Sequence, residues 1–358
     1  MLLMAWCLTV LGNPVALNNR AAQLYFDGRF EEAEYLYHVA LAGTSSTDLL
    51  RTAAISSNLG ALYKAEARYA EAEKLYRRAL GLRQAALGGA HADVAASMNN
   101  VAEILRLEGR YGEAAPLFER ALGIFDRLGA PSRGDLGLVL NNLAEIYRVY
   151  RLYGEAERLL GEALPLIERA YGGEHVRTAM ALNNLAQVLE QRGKLAESER
   201  LQLRALEILR RSSGRHDAEL AVSLSNLGCV YTRKKRLAES IQLHKQALNL
   251  IGAAETPARA AVLHNLSGAL EASGRLPEAL AMLDESRSIR ERLLGGAHPV
   301  VAYLLKDYAR LLRRMKRTTE AIELEAKAQA ALDQNRPPAF DRLVVPVAAL
   351  KSWRESER

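Results

Sequence analysis

The segment LNNLAEIY at residues 140–147 decides the fold, because close copies of it recur along the chain. The copies read MNNVAEIL at 98–105, LNNLAQVL at 182–189 and LSNLGCVY at 224–231. Each copy keeps an asparagine at the same point of an otherwise apolar segment. The packing of apolar side chains does not explain a primary amide, because an amide costs free energy when it is buried without a hydrogen-bond partner. The asparagine therefore needs an explanation of its own.

These anchor asparagines define a regular period along nearly the whole chain. Successive anchors are 39 or 42 residues apart, at Asn19, Asn58, Asn100, Asn142, Asn184, Asn226 and Asn265, and then at Asp307. A fixed period of 20 to 50 residues is typical of a repeat array, in which each unit packs on its neighbours. The sequence therefore predicts one solenoid of about eight units.

Each period reads as two helices. In the unit anchored on Asn100, apolar residues at helical spacing continue to Leu105, Gly109 breaks the pattern, and Tyr111 resumes it. Fourteen residues after each anchor stands a small residue, which lets two helices approach closely: Ala33, Ala72, Ala114, Ala156, Ser198, Ser240, Ala279 and Ala321. Three second helices end at a glycine pair, where we expect a left-handed residue: Gly88–Gly89, Gly172–Gly173 and Gly295–Gly296.

These motifs resemble the tetratricopeptide repeat, in the form of about 42 residues found in kinesin light chains. The resemblance rests on NNLAEIY at 141–147, EAERLL at 155–160, EAEKLYRRAL at 71–80 and the linkers LGGAHADVA at 87–95 and LGGAHPVVA at 294–302. It implies an all-α, right-handed superhelical solenoid of about eight helix pairs over residues 14–334. An apolar segment at 1–13 precedes this domain and a tail at 335–358 follows it. The last copy departs from the pattern at Asp307 and Thr318, and the first at Arg20, as expected of terminal units.

The anchor asparagine lies away from the packed face of its helix. Leu140, Ala144 and Tyr147 share the packed face, and Asn142 lies about 160° around the helix from Ala144. The stripe on its own side comprises Leu138, Asn142, Glu145 and Val149. Stacked repeats would align such stripes along the concave surface, where solenoids bind extended ligands.

A primary amide both donates and accepts hydrogen bonds, so it can bind a peptide backbone whatever the peptide's side chains are. The family resemblance implies this role too, since such grooves bind short extended peptides. The candidate peptide-binding residues are Asn58, Asn100, Asn142, Asn184, Asn226 and Asn265. The alternative is that each asparagine ties adjacent repeats together by bonding a carbonyl of the next helix.

Cations six or seven residues after four anchors are further candidates. They are Lys64, Arg106, Arg148 and Arg233. At the edge of the groove they would favour a ligand with acidic residues or a free carboxylate. The alternative is that Glu103 with Arg106, and Glu145 with Arg148, form i,i+3 pairs on a solvated face. The equivalent positions are acidic in two later copies, at Glu190 and Glu271.

Nothing in the sequence indicates catalysis, a metal or a cofactor. No phosphate-binding GxxxxGK[ST] loop, HExxH helix or GxSxG elbow is present. Four histidines fall in linkers, which is typical of capping: His91, His175, His216 and His298. Cys229 has no neighbouring base in the sequence to activate it, and we interpret it as a passive small residue.

Composition limits the partners. The net charge is +6, but 48 Lys and Arg are interleaved with 42 Asp and Glu, so we do not expect nucleic-acid binding. The apolar run Leu2–Leu11 is too short to span a membrane and resembles either a signal peptide or a cap for the first repeat. The protein is accordingly expected in the cytoplasm, or exported if residues 1–16 act as a signal peptide.

The sequence as a whole predicts a non-catalytic scaffold or adaptor that binds a protein or extended peptide in its concave groove. The alternative is a regulatory or sensor subunit of a separately encoded enzyme or signalling protein. Self-association through an uncapped end of the solenoid is a further expectation.

Overall fold

The computed structural model describes residues 13–129, 133–212 and 216–334. Within these ranges the chain forms sixteen α-helices: α1 Pro14–Phe26, α2 Phe30–Ala42, α3 Leu49–Ala65, α4 Tyr69–Leu87, α5 Ala92–Leu107, α6 Tyr111–Leu128, α7 Arg133–Val149, α8 Tyr153–Tyr171, α9 Val176–Gln191, α10 Leu195–Arg211, α11 Asp217–Arg233, α12 Leu237–Ile251, α13 Pro257–Ala272, α14 Leu276–Leu294, α15 Pro299–Arg314 and α16 Thr318–Gln334. The roles predicted for the N-terminal apolar segment and the C-terminal tail concern residues that lie almost wholly outside these ranges.

The helices pack in sequential pairs, which we number as repeats 1 to 8. Each odd-numbered helix is the first helix of its repeat and packs on the second, and the second packs on the first helix of the next repeat. First helices of neighbouring repeats, such as α9 and α11, also touch each other. The predicted all-helical solenoid of eight helix pairs is confirmed.

The small residue fourteen positions after each anchor sits where the two helices of a repeat meet. All eight of these residues are fully buried. Two of them are serines whose hydroxyls are satisfied across the pair, since Ser198 donates to the carbonyl of Ala186 and Ser240 to that of Gly228, at 2.6 and 2.7 Å. The close approach therefore leaves no hydroxyl without a partner.

One residue with positive φ reverses the chain between the two helices of every repeat. It stands nine residues after the anchor and is a glycine in only half of the copies: Gly28, Ala67, Gly109, Arg151, Gly193, Lys235, Gly274 and Lys316. The next backbone N–H bonds to the carbonyl five residues earlier, as from Arg110 to Leu105 at 2.8 Å. This pattern is a Schellman motif, and it fixes the angle at which the second helix starts.

Three of the four linker histidines cap a helix as predicted, whereas His216 makes no side-chain capping hydrogen bond. His91, His175 and His298 each accept a backbone N–H on Nδ1 at 3.1 Å. The prediction of left-handed glycines after the second helices was wrong in detail. Gly88 and Gly172 have φ of 78° and 98°, but their ψ values of 169° and 152° are extended. Only glycine adopts this region readily, so the linker leaves the helix in an extended direction.

The superhelix closes on itself between repeat 3 and repeat 8. Nε2 of His298, which caps α15, lies 3.0 Å from the carbonyl oxygen of Leu107 at the end of α5. Its Nδ1 accepts from Val300, so Nε2 carries the proton and donates to Leu107. Pro299 packs on Gly109, where a Cβ atom would come within 2.7 Å of the proline ring. The Arg151 guanidinium, in the turn between the two helices of repeat 4, lies 5.9 Å from the ring centre of Tyr303 on α15.

Candidate functional site: the concave groove

The concave side of the closed superhelix encloses a cavity of about 430 Å³ between repeats 4 and 8. We call it the groove cavity. Its walls include stripe residues from the first helices of repeats 5, 6 and 7: Gln187, Gln191, Val222, Asn226, Ala261 and Asn265. The stripe that the sequence placed opposite the packed face therefore lines the groove in these repeats.

Most of the anchor amides form a ladder of hydrogen bonds between repeats; Asn100 does not join it, since the hydroxyl of Ser57, at the acceptor position, has no hydrogen-bond partner among the described residues. The side-chain nitrogen of Asn58 donates to Oδ1 of Asn18 at 3.0 Å. In the same way Asn142 donates to Asn99, and Asn184 to Asn141, both at 3.1 Å. Each acceptor stands one residue before the anchor of the preceding repeat. Between these repeats, the first asparagine of a doubled pair therefore accepts a hydrogen bond and the second donates one.

The ladder continues in repeats 6 to 8 with other side chains. Asn265 donates to the hydroxyl of Ser225 at 3.0 Å. Asp307, the substituted last anchor, lies 3.0 Å from Nε2 of His264, which again precedes the anchor of the repeat before. The alternative drawn from the sequence, a tie between repeats, is therefore present. Its acceptor is a side-chain oxygen of the preceding repeat, and not the backbone carbonyl of the next helix that was expected.

Asn226 departs from the ladder and lies at the groove cavity. It is only 8% exposed and lines the cavity, and its Nδ2 has no hydrogen-bond partner in the described part of the chain. The acceptor expected for it is Asn183, whose Oδ1 instead accepts from the hydroxyl of Ser223 at 2.9 Å. Asn226 is thus a buried donor left without its acceptor.

Three of the four candidate cations are held by carboxylates. Lys64 bonds to Glu103 of the next repeat at 3.0 Å, and Arg233 to Glu190 of the preceding one at 3.1 Å. Arg148 makes a two-pronged pair with Glu145 on its own helix, with contacts of 2.8 and 3.1 Å.

The expected i,i+3 pairing is therefore correct for Glu145 with Arg148 and wrong for Glu103, which lies within reach of Lys64 instead. The fourth cation, Arg106, has a buried Nε without a hydrogen-bond partner among the described residues.

Two of these pairs keep their carboxylates ionised, whereas burial raises the pKa of Glu190 in spite of the charge of Arg233. Burial alone would raise the pKa of Glu103, but the charges of Lys64 and Arg106 outweigh it, and the pKa lies below its usual value. Burial opposes Arg148 in the same way at Glu145, whose pKa is also lowered. A ligand carboxylate would have to compete with these fixed anions for the cations. The paired cations are therefore weak candidates for acid recognition.

Two polar residues that the sequence analysis did not identify occupy a repeat position that is large and apolar in most other repeats. Eighteen residues after the anchor stand Tyr37, Tyr76, Phe118, Leu160 and Leu283, but Gln202 and His244 occupy this position in repeats 5 and 6. Both are fully buried. Oε1 of Gln202 and Nε2 of His244 have no partner within the described ranges, while Nδ1 of His244 lies 3.0 Å from the Ser225 hydroxyl. The break in the apolar pattern was the available signal.

Two kinds of group that could carry chemistry are a cysteine thiol and a cluster of metal-ligating side chains. Burial raises the pKa of the Cys229 thiol to about 12, with a further contribution from Glu190, so the sulfur is not activated. Among residues 13–129, 133–212 and 216–334, no group of three or more His, Cys, Asp or Glu side chains could hold a metal ion. No helix in the same ranges combines the length and hydropathy needed to cross a bilayer.

Several solved structures are similar to the chain. BtubC (BKLC) from P. vanneervenii shares 22% identity over 70% of this chain and 94% of its own, with a TM-score of 0.45. Two structures of a Podosopora anserina putative kinesin light chain with nearly identical TPR-like repeats share 22% and 21% identity over 57% of this chain. They cover 97% and 99% of those chains, with TM-scores of 0.41 and 0.39. No curated protein matches the chain.

A family model covers most of the described residues. The tetratricopeptide repeat model matches residues 14–80, 51–127, 135–210, 177–251 and 258–334. These matches follow the helix pairs from α1 to α16, and the anchors, buried small residues and Schellman turns recur in phase with them. The chain belongs to the tetratricopeptide repeat family, whose members are generally scaffolds for protein–protein interaction.

Proposed function

We propose that the protein is a non-catalytic scaffold that binds an extended peptide segment of a protein partner in its concave groove. The proposed contacts are the anchor amides Asn58, Asn100, Asn142, Asn184, Asn226 and Asn265. Lys64, Arg106, Arg148 and Arg233 lie on the same first helices and are the further proposed contacts, and all of them except Arg106 are held by carboxylates. The ligand backbone supplies the donors and acceptors that the amides need.

The observation that carries this proposal is the orientation of the ladder amides. In Asn58, Asn142 and Asn184 the nitrogen is committed to the preceding repeat, and this bond fixes the plane of the amide. The carbonyl oxygen of a planar amide points away from the nitrogen, so the same bond orients an acceptor for ligand N–H groups. Oδ1 of Asn142 also accepts from Asn141 at 3.4 Å, which leaves its second lone pair for the ligand. A preorganised acceptor costs little side-chain entropy on binding.

The test separates the structural role of the ladder from ligand contact. The double variant Asn142→Ala with Asn184→Ala removes two inter-repeat bonds and two groove amides. The matched control, Asn99→Ala with Asn141→Ala, removes the same two bonds from their acceptor side and leaves the anchor amides in place. Peptides selected on the wild-type chain from a random library are then measured against both variants by fluorescence polarisation.

We expect the anchor variant to lose affinity by about tenfold or more, since each amide makes about 1 kcal/mol of net hydrogen bonding. The control should retain most of the affinity. Equal losses in both variants would leave the asparagines with a purely structural role, and failure to select any peptide would argue against a peptide groove.

A further inference from the structure

The groove cavity contains a buried cation that no carboxylate neutralises. Arg290 on α14 is 9% exposed and lines the cavity. Its Nη1 lies 3.5 Å from Nδ1 of His264, and none of the carboxylates in the described ranges lies within ion-pair distance of it. Burial lowers the pKa of Arg290 to about 10, and the charge of Asp307 offsets this only in part. An unpaired charge in the interior destabilises the fold by several kcal/mol.

The carboxylates of Asp307 and Glu271, on the neighbouring first helices, are held by other partners. Asp307 lies on the far side of the His264 ring, 3.0 Å from its Nε2, and also bonds to Arg310 at 3.3 Å. Glu271 pairs with Arg310 and Arg314 at 2.9 and 3.0 Å. This end of the groove thus carries three guanidinium groups, of Arg290, Arg310 and Arg314, and two carboxylates, which leaves one positive charge over.

A second cation, which has no carboxylate partner among the described residues, lies across the cavity. Arg151, in the turn between α7 and α8, is exposed and lies over the ring of Tyr303. The other charged groups of the lining are neutralised, since Arg148 is held by Glu145 and Glu190 by Arg233. The excess charge of the lining therefore comes from Arg151 and Arg290.

Two further buried polar groups of the same lining lack partners. They are Oε1 of Gln202, which is fully buried, and Nδ2 of Asn226. Nδ2 of Asn226 is a donor that an oxygen of an anion can accept from, whereas Oε1 of Gln202 is an acceptor and does not favour an anion. A volume of about 430 Å³ lies within the range of small-ligand sites. Buried polar groups in a native fold normally find partners, and here the cavity is where partners can enter.

We propose that the groove cavity binds an anionic group, a carboxylate or phosphate, with Arg290 as its principal partner and Arg151 at its rim. The site includes Asn226 and Asn265, so it deepens the proposed function and rests on the groove being the place where ligands enter. It also moves acid recognition away from the four cations identified in the sequence. The guanidinium supplies paired donors that match the oxygens of either anion.

The test follows thermal unfolding of the full chain at constant ionic strength. Inorganic phosphate, acetate and the uncharged acetamide are titrated separately, because a ligand that binds only the folded chain raises the unfolding midpoint in a saturable way. We expect phosphate or acetate to raise the midpoint and acetamide to leave it unchanged. Arg290→Gln should require about tenfold more anion for the same rise.

Two variants guard the interpretation. Arg287→Gln, on the same helix and facing Asp284 at 3.6 Å, is the matched control and should respond like the wild type. Arg151→Gln changes an exposed turn residue and should weaken binding without unfolding the core. Arg290→Gln removes an uncompensated buried charge, so it should be at least as stable as the wild type without anion.

The source of the anion is distinguished with two peptides, acetylated tri-alanine with a free C-terminal carboxylate and the same peptide amidated. A response to the acid but not the amide identifies a peptide carboxylate, whereas a response to phosphate and acetate alone identifies a small anion. No response of the wild type to any anion overturns the proposal. An equal response in Arg290→Gln also overturns it, because the anion then binds without Arg290 and is an adventitious ion only. If the anions fail while selected peptides still depend on Asn142 and Asn184, the peptide-binding proposal stands without this one.

Discussion

The side-chain nitrogen of Asn184 lies 3.1 Å from Oδ1 of Asn141 in the preceding repeat. The residue before an anchor therefore accepts the hydrogen bond that the anchor of the next repeat donates. The recurring pair of asparagines is explained by this exchange, since the first member holds the next repeat and the second is held by the repeat before.

The ladder makes a prediction about stability. Asn142→Ala with Asn184→Ala should lower the free energy of unfolding by about 2 kcal/mol, because each net hydrogen bond contributes about 1 kcal/mol. Asn99→Ala with Asn141→Ala should cost a similar amount, since it breaks the same bonds. Urea denaturation measures both. A large difference between the two double variants would show that the bonds do not carry the effect.

His244 predicts a loss of stability in acid. Burial lowers its pKa to about 4, whereas the unfolded chain titrates near the ordinary value of about 6.5. Between these values the unfolded chain binds the proton more readily, so the free energy of unfolding falls as the pH drops through this window. The loss reaches about 3 kcal/mol near pH 4.

The check on His244 compares the wild type with His244→Leu. The variant loses the contact with Ser225 at every pH, so its absolute stability at neutral pH is not the measure. The difference between the two proteins should shift in favour of the variant by about 2 to 3 kcal/mol between pH 7 and pH 4. Parallel stability curves over this range would contradict a neutral buried imidazole.

Gly109 predicts an effect on the shape of the molecule. It combines a φ of +77° with the close contact to Pro299, whereas Gly193 has a φ of +78° and open space at the Cβ position. Both Gly109→Ala and Gly193→Ala should lose about 1 kcal/mol or more of stability from backbone strain. Only Gly109→Ala should separate repeat 3 from repeat 8. Small-angle scattering should show a larger radius of gyration for that variant alone, and equal radii would mean that the closing contact yields without opening the superhelix.

Ala67 predicts a gain in stability. It occupies the left-handed turn position with a φ of +58°, which costs an alanine about 1 to 2 kcal/mol relative to glycine. Ala67→Gly should raise the free energy of unfolding by about 0.5 to 1 kcal/mol after the larger chain entropy of unfolded glycine is subtracted. Thermal and urea unfolding both report this change, and a decrease would indicate that the alanine side chain packs favourably in the turn.

The sequence predicted what depends on one repeat and its neighbours. The phase of the anchors, the buried small residue and the histidine caps are local properties, and the structure has them where the pattern placed them, except that His216 makes no side-chain cap. Gln202 and His244 interrupt the apolar residues found eighteen positions after most anchors, and this interruption could have been read from the sequence. The ion pair between Lys64 and Glu103 could not be predicted from spacing. On a stacked surface Glu103 can reach either Arg106, its i,i+3 neighbour, or a cation in the adjacent repeat.

The contact between repeats 3 and 8 had no signal in the sequence. It joins His298 to Leu107 across 191 residues, and its position depends on the summed rotation of the intervening repeats. Small differences in each packing angle add along a solenoid, so no single motif encodes closure. For the same reason the sequence does not show that Arg290 lacks a carboxylate partner in the described part of the groove.

The hydrogen bond from His298 to Leu107 also bears on the order of folding. Repeat arrays form mostly short-range contacts and therefore fold quickly, each unit adding to its neighbour. A contact of such high sequence separation gains nothing until all the repeats between its ends are in place, because only their stacking removes the entropy of so long a loop. Closure is thus the final step of assembly, and the enclosed groove comes into existence only in a chain that has finished folding.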